Sequence, residues 1–219
     1  LWLYDPATGC DTLIPIALGP VRSLTYLGGD NILVLGQVYG IYSDMEPLDY
    51  LSIASVKYGD TNYDCNHIWP FNITAIAVVS PNRIAAAADY KRLVMWDGMS
   101  GNSVLWSVTT EMPAFLGYDS KCGLVLVEKG GSGLVGRAAR DGKVTASAAA
   151  PFRILSQPVG TGGNGLFVTG DGIAAVLDGK LAVSSEYRAS WISKDATAVF
   201  GGWYVFVSSS GKLARFTVD

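Results

Sequence analysis

Short apolar runs bounded by turn-forming residues recur along the whole chain. Residues 21–27, 32–35, 93–96, 104–108, 124–127, 166–169 and 204–207 are rich in Val, Ile, Leu, Tyr and Trp, and Gly, Asp, Asn, Ser or Pro separates them. Runs of this length and composition predict β-strands. Many are apolar at successive positions and not strictly alternating, the pattern of strands covered on both faces. No window of a dozen residues combines three- and four-residue apolar spacing with a cap at each end, so helices are not expected.

The turns between the runs also repeat. Ala7-Thr8-Gly9 precedes Cys10-Asp11, Met99-Ser100-Gly101 precedes Asn102-Ser103, and Arg140-Asp141-Gly142 precedes Lys143-Val144. Leu177-Asp178-Gly179 precedes Lys180-Leu181, and Ser209-Ser210-Gly211 precedes Lys212-Leu213. Each supplies a glycine where a tight hairpin needs positive φ. Glycines 101, 142, 179 and 211 recur at intervals of 41, 37 and 32 residues. A period of about 40 residues is the length of one four-stranded propeller blade.

The expected fold is therefore an all-β propeller of about five to six four-stranded blades in a single domain. Residues 1–18 supply a half blade. Full blades cover 20–58, 72–110, 112–149, 151–186 and 188–219, and an inserted loop covers 59–71. A half blade exposes a sheet edge, which would be completed by partner strands near residues 1–18, by strands in another part of the protein, or by the C-terminal strands if the ring closes there.

One blade has a more specific pattern. Ala77-Val78-Val79-Ser80-Pro81-Asn82, then Ile84-Ala85-Ala86-Ala87-Ala88, then Leu93-Val94-Met95-Trp96-Asp97 resembles a WD-repeat blade. Its continuation, Asp97-Gly98-Met99-Ser100-Gly101 into Val104-Leu105-Trp106, resembles quinoprotein-like repeats, as does Leu1-Trp2-Leu3-Tyr4-Asp5-Pro6-Ala7-Thr8-Gly9. The Gly-His pair of WD repeats is absent and Trp-Asp occurs once. The resemblance implies a propeller of the kind used mostly as a scaffold in protein assemblies. Quinoprotein-like propellers include both dehydrogenases and non-catalytic assembly factors.

Composition narrows the function classes. The 219 residues are 49% hydrophobic and 16% charged, against about 25% charged in ordinary domains, so a large core is available. Net charge is −3 and no basic run exceeds Lys91-Arg92. The electrostatic footprint of nucleic-acid binding and a polybasic membrane patch are both missing. Mean hydropathy is +0.28, yet no apolar stretch approaches the roughly 20 residues of a membrane-spanning helix. Cys10, Cys65 and Cys122 lie far apart without C-x-x-C spacing. They read as buried free thiols in a reducing, intracellular compartment, with a Cys10–Cys65 bridge as the alternative. The chain opens on Leu1, so it reads as processed or as part of a longer protein.

The candidate chemistry is sparse. The one histidine, His67, stands two residues from Cys65, but a structural zinc site needs four ligands, and His67 reads as an ordinary loop residue. Asp5, Asp44, Glu46, Asp89, Asp97, Asp171 and Asp195 are the carboxylates from which a hydrolytic pair could be drawn. Asp97, Asp141 and Asp178 sit at turns, where Asp suits the backbone. The glycine-rich segments 130–133 and 160–165 lead into no helix and precede no Gly-Lys-Ser/Thr, so they read as strand connections and not phosphate cradles.

No cofactor, metal site or catalytic residue is expected. The expected function is a non-catalytic protein-interaction scaffold, a subunit or adaptor of a larger assembly. The alternative is a glycan or small-molecule binder or hydrolase using the central funnel. Loops carry function disproportionately on rigid scaffolds. The expected contact residues are therefore Tyr63, His67 and Trp69 in the insert, with Asp89, Tyr90, Lys91, Arg92, Lys129, Asp171 and Trp203 on one common rim of loops.

Overall fold

The structure is a computed structural model. It describes residues 2–5, 9–13, 21–28, 31–38, 48–57, 60–69, 73–88, 91–97, 103–111, 113–192, 197–200, 203–207 and 213–217, with side chains characterised chiefly across 73–192. All regular structure among these residues is β, in six antiparallel sheets that follow chain order.

β1 (Trp2–Asp5) pairs with β2 (Cys10–Leu13) in a two-stranded sheet. β3 (Val21–Gly28), β4 (Asn31–Val38), β5 (Leu48–Lys57) and β6 (Asp60–Trp69) form a four-stranded meander. Three further sheets follow β7 (Ile73–Ser80), β8 (Arg83–Ala88), β9 (Arg92–Asp97) and β10 (Ser103–Thr109) in the first. The second holds β11 (Pro113–Asp119), β12 (Gly123–Glu128), β13 (Gly133–Arg137) and β14 (Val144–Ala149). The third holds β15 (Val159–Gly160), β16 (Leu166–Gly170), β17 (Ile173–Leu177) and β18 (Val183–Arg188). The last sheet has three described strands, β19 (Thr197–Phe200), β20 (Trp203–Val207) and β21 (Leu213–Thr217).

The chain divides into two compact units, Leu1–Asn72 with Gly98–Asn102, and Ile73–Asp97 with Ser103–Asp219. In the first unit one expectation is corrected. Residues 60–69 are not an inserted loop but the outermost strand of their sheet, paired along β5 from Lys57↔Asp60 to Asp49↔Trp69. Six of its ten residues, Asp60, Thr61, Asn62, Asp64, Asn66 and His67, are polar, as suits a strand at the edge of its sheet. The absence of an apolar run therefore did not mean the absence of a strand.

The second unit explains the continuous apolar runs. Successive residues of a strand point to opposite faces, and here both faces meet another sheet. On β12, Leu124 and Leu126 pack with Ala85, Ala87, Leu93 and Met95 of the sheet before. Val125 and Val127 pack with Leu166, Val168, Ala175 and Leu177 of the sheet after. One sheet further on, Phe167, Ala174 and Val176 turn the other way and pack with Ile192. Each of these larger side chains contributes roughly 1.5–3 kcal/mol by leaving water. The first strands of successive sheets are neighbours, β7 beside β11, β11 beside β15 and β15 beside β19.

Candidate functional site

Strand direction alternates through the second unit, so its turns fall at two ends. Turns joining the first to the second and the third to the fourth strand of each sheet lie at one end. Turns joining the second to the third lie at the other. The first end is stitched together by polar side chains. Asp119, the last residue of β11, is 3% exposed. One carboxylate oxygen accepts the Lys121 amide at 2.9 Å, closing its own turn. The other accepts the amides of Thr161 and Gly163 at 3.0 and 2.9 Å, across to the next sheet.

This settles what the glycine-rich 160–165 segment does. Gly162 and Gly163 have φ of 76° and 104°, which curls the loop so that amides converge on one point. Such a concavity binds anions, and here the anion is the protein's own carboxylate. The neighbouring turns use the same chemistry. Asp178 accepts the amides of Lys180 and Ala182 at 2.8 and 2.9 Å. Those bonds, Ala182 first and then Lys180, hold its carboxyl below the usual carboxylate range. Asp141 accepts the Lys143 amide at 3.2 Å.

Cys122 also belongs to this end. Its thiol is buried and donates to the carbonyls of Asp178 and Leu177 at 3.2 and 3.5 Å, on the next sheet. Burial, with the nearby Asp119 charge adding to it, pushes the thiol pKa up to about 11. A thiol held neutral in this way is a poor nucleophile. One sheet earlier, Trp106 of β10 donates its indole N–H to the Ala139 carbonyl at 2.9 Å. Its ring lies over Gly142, where an added Cβ would come 2.9 Å from Cζ3.

The sequence-predicted contact residues separate into three groups. Tyr63, His67 and Trp69 share β6, opposite Ala54, Leu51 and Asp49, so they line one strand and not a loop. Lys91 and Arg92, Lys129, and Asp171 are exposed at the second-to-third-strand turns, all at the same end of the second unit. Trp203 begins β20 and follows a first-to-second-strand turn, which places it at the opposite end. The expected common rim is corrected for Trp203, because the last sheet's described strands start at its first strand. Asp89 and Tyr90 lie outside the described residues.

Two residues that carry the architecture had no signal of their own in the sequence. Gln157, just before β15, donates from Nε2 to the carbonyls of Ile76, at 3.0 Å, and Leu116. It thereby clamps the first strands of two earlier sheets. Asp119 was not singled out in the sequence, and its partners 42 and 44 residues away were not legible. On the outer wall, Val104, Leu105, Val144 and Tyr187 are large apolar side chains left exposed.

Solved structures share this architecture. The chain is similar to BamB from Moraxella catarrhalis, with TM-score 0.55 and 15% identity over 84% of this chain and 64% of that chain. It is also similar to the computationally designed Ika4 protein, with TM-score 0.53 and 16% identity over 69% of this chain and 94% of that chain. The chain thus spans a little under two thirds of the BamB chain. No family model and no curated sequence matches it. At this identity the likeness establishes the fold, a β-propeller-like arrangement of four-stranded sheets.

Proposed function

We propose that this chain is a non-catalytic protein-interaction scaffold, acting as a subunit or adaptor of a larger assembly. The observation that carries this reading is how its polar groups are used. Asp119, Asp141 and Asp178 hold backbone amides. Glu186 is paired with Arg188 at 3.0 Å, and the Cys122 thiol is buried and bonded. A general acid or base needs a free group in reach of substrate, whereas the carboxylates of Asp119, Asp141 and Asp178 brace turns. The outer wall instead offers apolar side chains to solvent, led by Val144 at 57% exposure.

The test is the mass of the assembly recovered under native conditions. The chain purified from its own host should run in a complex of defined stoichiometry. Leu105→Glu with Val144→Glu should weaken that complex while leaving the melting temperature unchanged. A chain that is monomeric throughout, and whose melting temperature rises with a glycan or small metabolite, would replace this reading with the ligand-binding alternative.

A further inference from the structure

We propose that the free edge of β14 is a strand-addition site for an extended segment of a partner protein that ends in acidic residues. This rests on the scaffold reading and names its surface. β10, β14 and β18 each end their sheet, and each starts with a register shift near its turn. Beyond that shift, each leaves a row of backbone N–H and C=O groups facing outward, a template for another strand.

Two of the three edges are blunted. On β10, Arg92 Nη2 donates to Ser107 Oγ at 3.3 Å and Arg137 Nη2 donates to the Thr109 carbonyl at 3.4 Å. On β18, the Glu186–Arg188 pair stands on the strand itself. β14 has no such guard. Its residues Ala146, Ser147, Ala148 and Ala149 carry no charge, no proline and nothing bulkier than a hydroxymethyl group. A strand can therefore approach to the roughly 4.8 Å spacing of a ladder.

The charge beside this edge chooses the occupant. Arg140 and Lys143 stand at the start of β14 with side chains 86% and 81% exposed, and a single carboxylate, Asp141, lies between them. One positive charge is left over. The exposed Val144 follows directly. An antiparallel strand laid along β14 would bring its C-terminal end to this point. It would best carry β-forming residues, then an apolar residue over Val144, then carboxylates facing Lys143 and Arg140.

The experiment uses the full chain and a labelled probe, acetyl-Thr-Val-Thr-Val-Leu-Glu-Glu-amide, read by fluorescence anisotropy. A second probe ending in Lys-Lys serves as control. The acidic probe should bind about tenfold more tightly at low salt, as charge complementarity at an exposed rim allows. Arg140→Glu with Lys143→Glu should reverse the preference. Ser147→Pro and Ala148→Pro remove neighbouring amides that point in opposite directions, so one removes an outward amide. The proline variant that keeps the wild-type melting temperature should lose probe binding. Equal binding of both probes, or binding untouched by that proline, overturns the proposal. Concentration-dependent dimers abolished by the same proline overturn it as well, since a second copy would then be the occupant. If the probe fails but the native complex is still recovered, the edge assignment alone falls. If no complex is recovered either, the scaffold reading falls with it.

Discussion

Removing the Asp119 carboxylate tests whether the sheets are bound by polar stitching as well as by apolar packing. Asp119→Ala would leave the partly buried Gly163 amide without its acceptor, and would leave the buried Thr161 amide only its second bond, to the Gly165 carbonyl at 3.0 Å. The turn amide of Lys121 would lose its partner too, although water can reach that group more easily. A buried donor left unpaired costs about 1–3 kcal/mol, so one partly buried orphan together with the lost second bond of Thr161 gives an expected loss of about 1–3 kcal/mol. In a domain of this size that is a fall in melting temperature of roughly 3–10 °C. Asp119→Asn keeps one acceptor oxygen but turns an amide donor toward a donor, and should cost about half as much. Urea denaturation supplies the free energies, and hydrogen exchange locates them. The Gly163 amide should lose protection ahead of the strands on either side, and more than Thr161, which keeps the Gly165 carbonyl. A loss under about 0.5 kcal/mol for Asp119→Ala, or protection lost uniformly along the chain, would refute the stitching argument.

Three other outcomes are expected. Gly142→Ala places a Cβ at a φ of 73° and against the Trp106 ring, so it should cost on the order of 2 kcal/mol and alter the near-ultraviolet circular dichroism. The folded-state pKa of Cys122 lies above its ordinary value of 9.0, at about 11. Its contribution to stability is therefore complete below pH 9 and is lost as pH rises through 11. Denaturation curves across that window should show a decline that Cys122→Ser lessens, and peptide mapping should find Cys122 unalkylated by iodoacetamide at pH 8 in the native chain. Deleting residues 60–68 should lower stability markedly, because it strips β6 from β5. An unchanged unfolding midpoint would contradict that pairing.

Much of the local architecture was legible in the order of residues. The runs at 124–127 and 166–169 are apolar at nearly every position, and in the structure both faces of β12 and β16 are covered. Asp141 and Asp178 were readable as turn residues, because an aspartate that bonds amides two residues on needs only its immediate neighbours. The failures follow the same logic. β6 was hidden because an edge strand needs no apolar run. Trp203 was put at the wrong end because a turn's place in its sheet depends on how many strands precede it.

What the sequence determined alone is the set of short-range interactions: the strand-forming runs, the positive-φ turn glycines Gly9 and Gly142, and the carboxylates that close turns; the expectation failed at Gly179, whose turn places the positive φ at Leu181. Only the tertiary structure decided which sheets share Asp119 and which carbonyls take the Cys122 thiol. Those outcomes join groups some forty to fifty-six residues apart. Chain-local preferences carry no information about such distances. They are set when stacked sheets bring remote backbone groups within hydrogen-bonding reach.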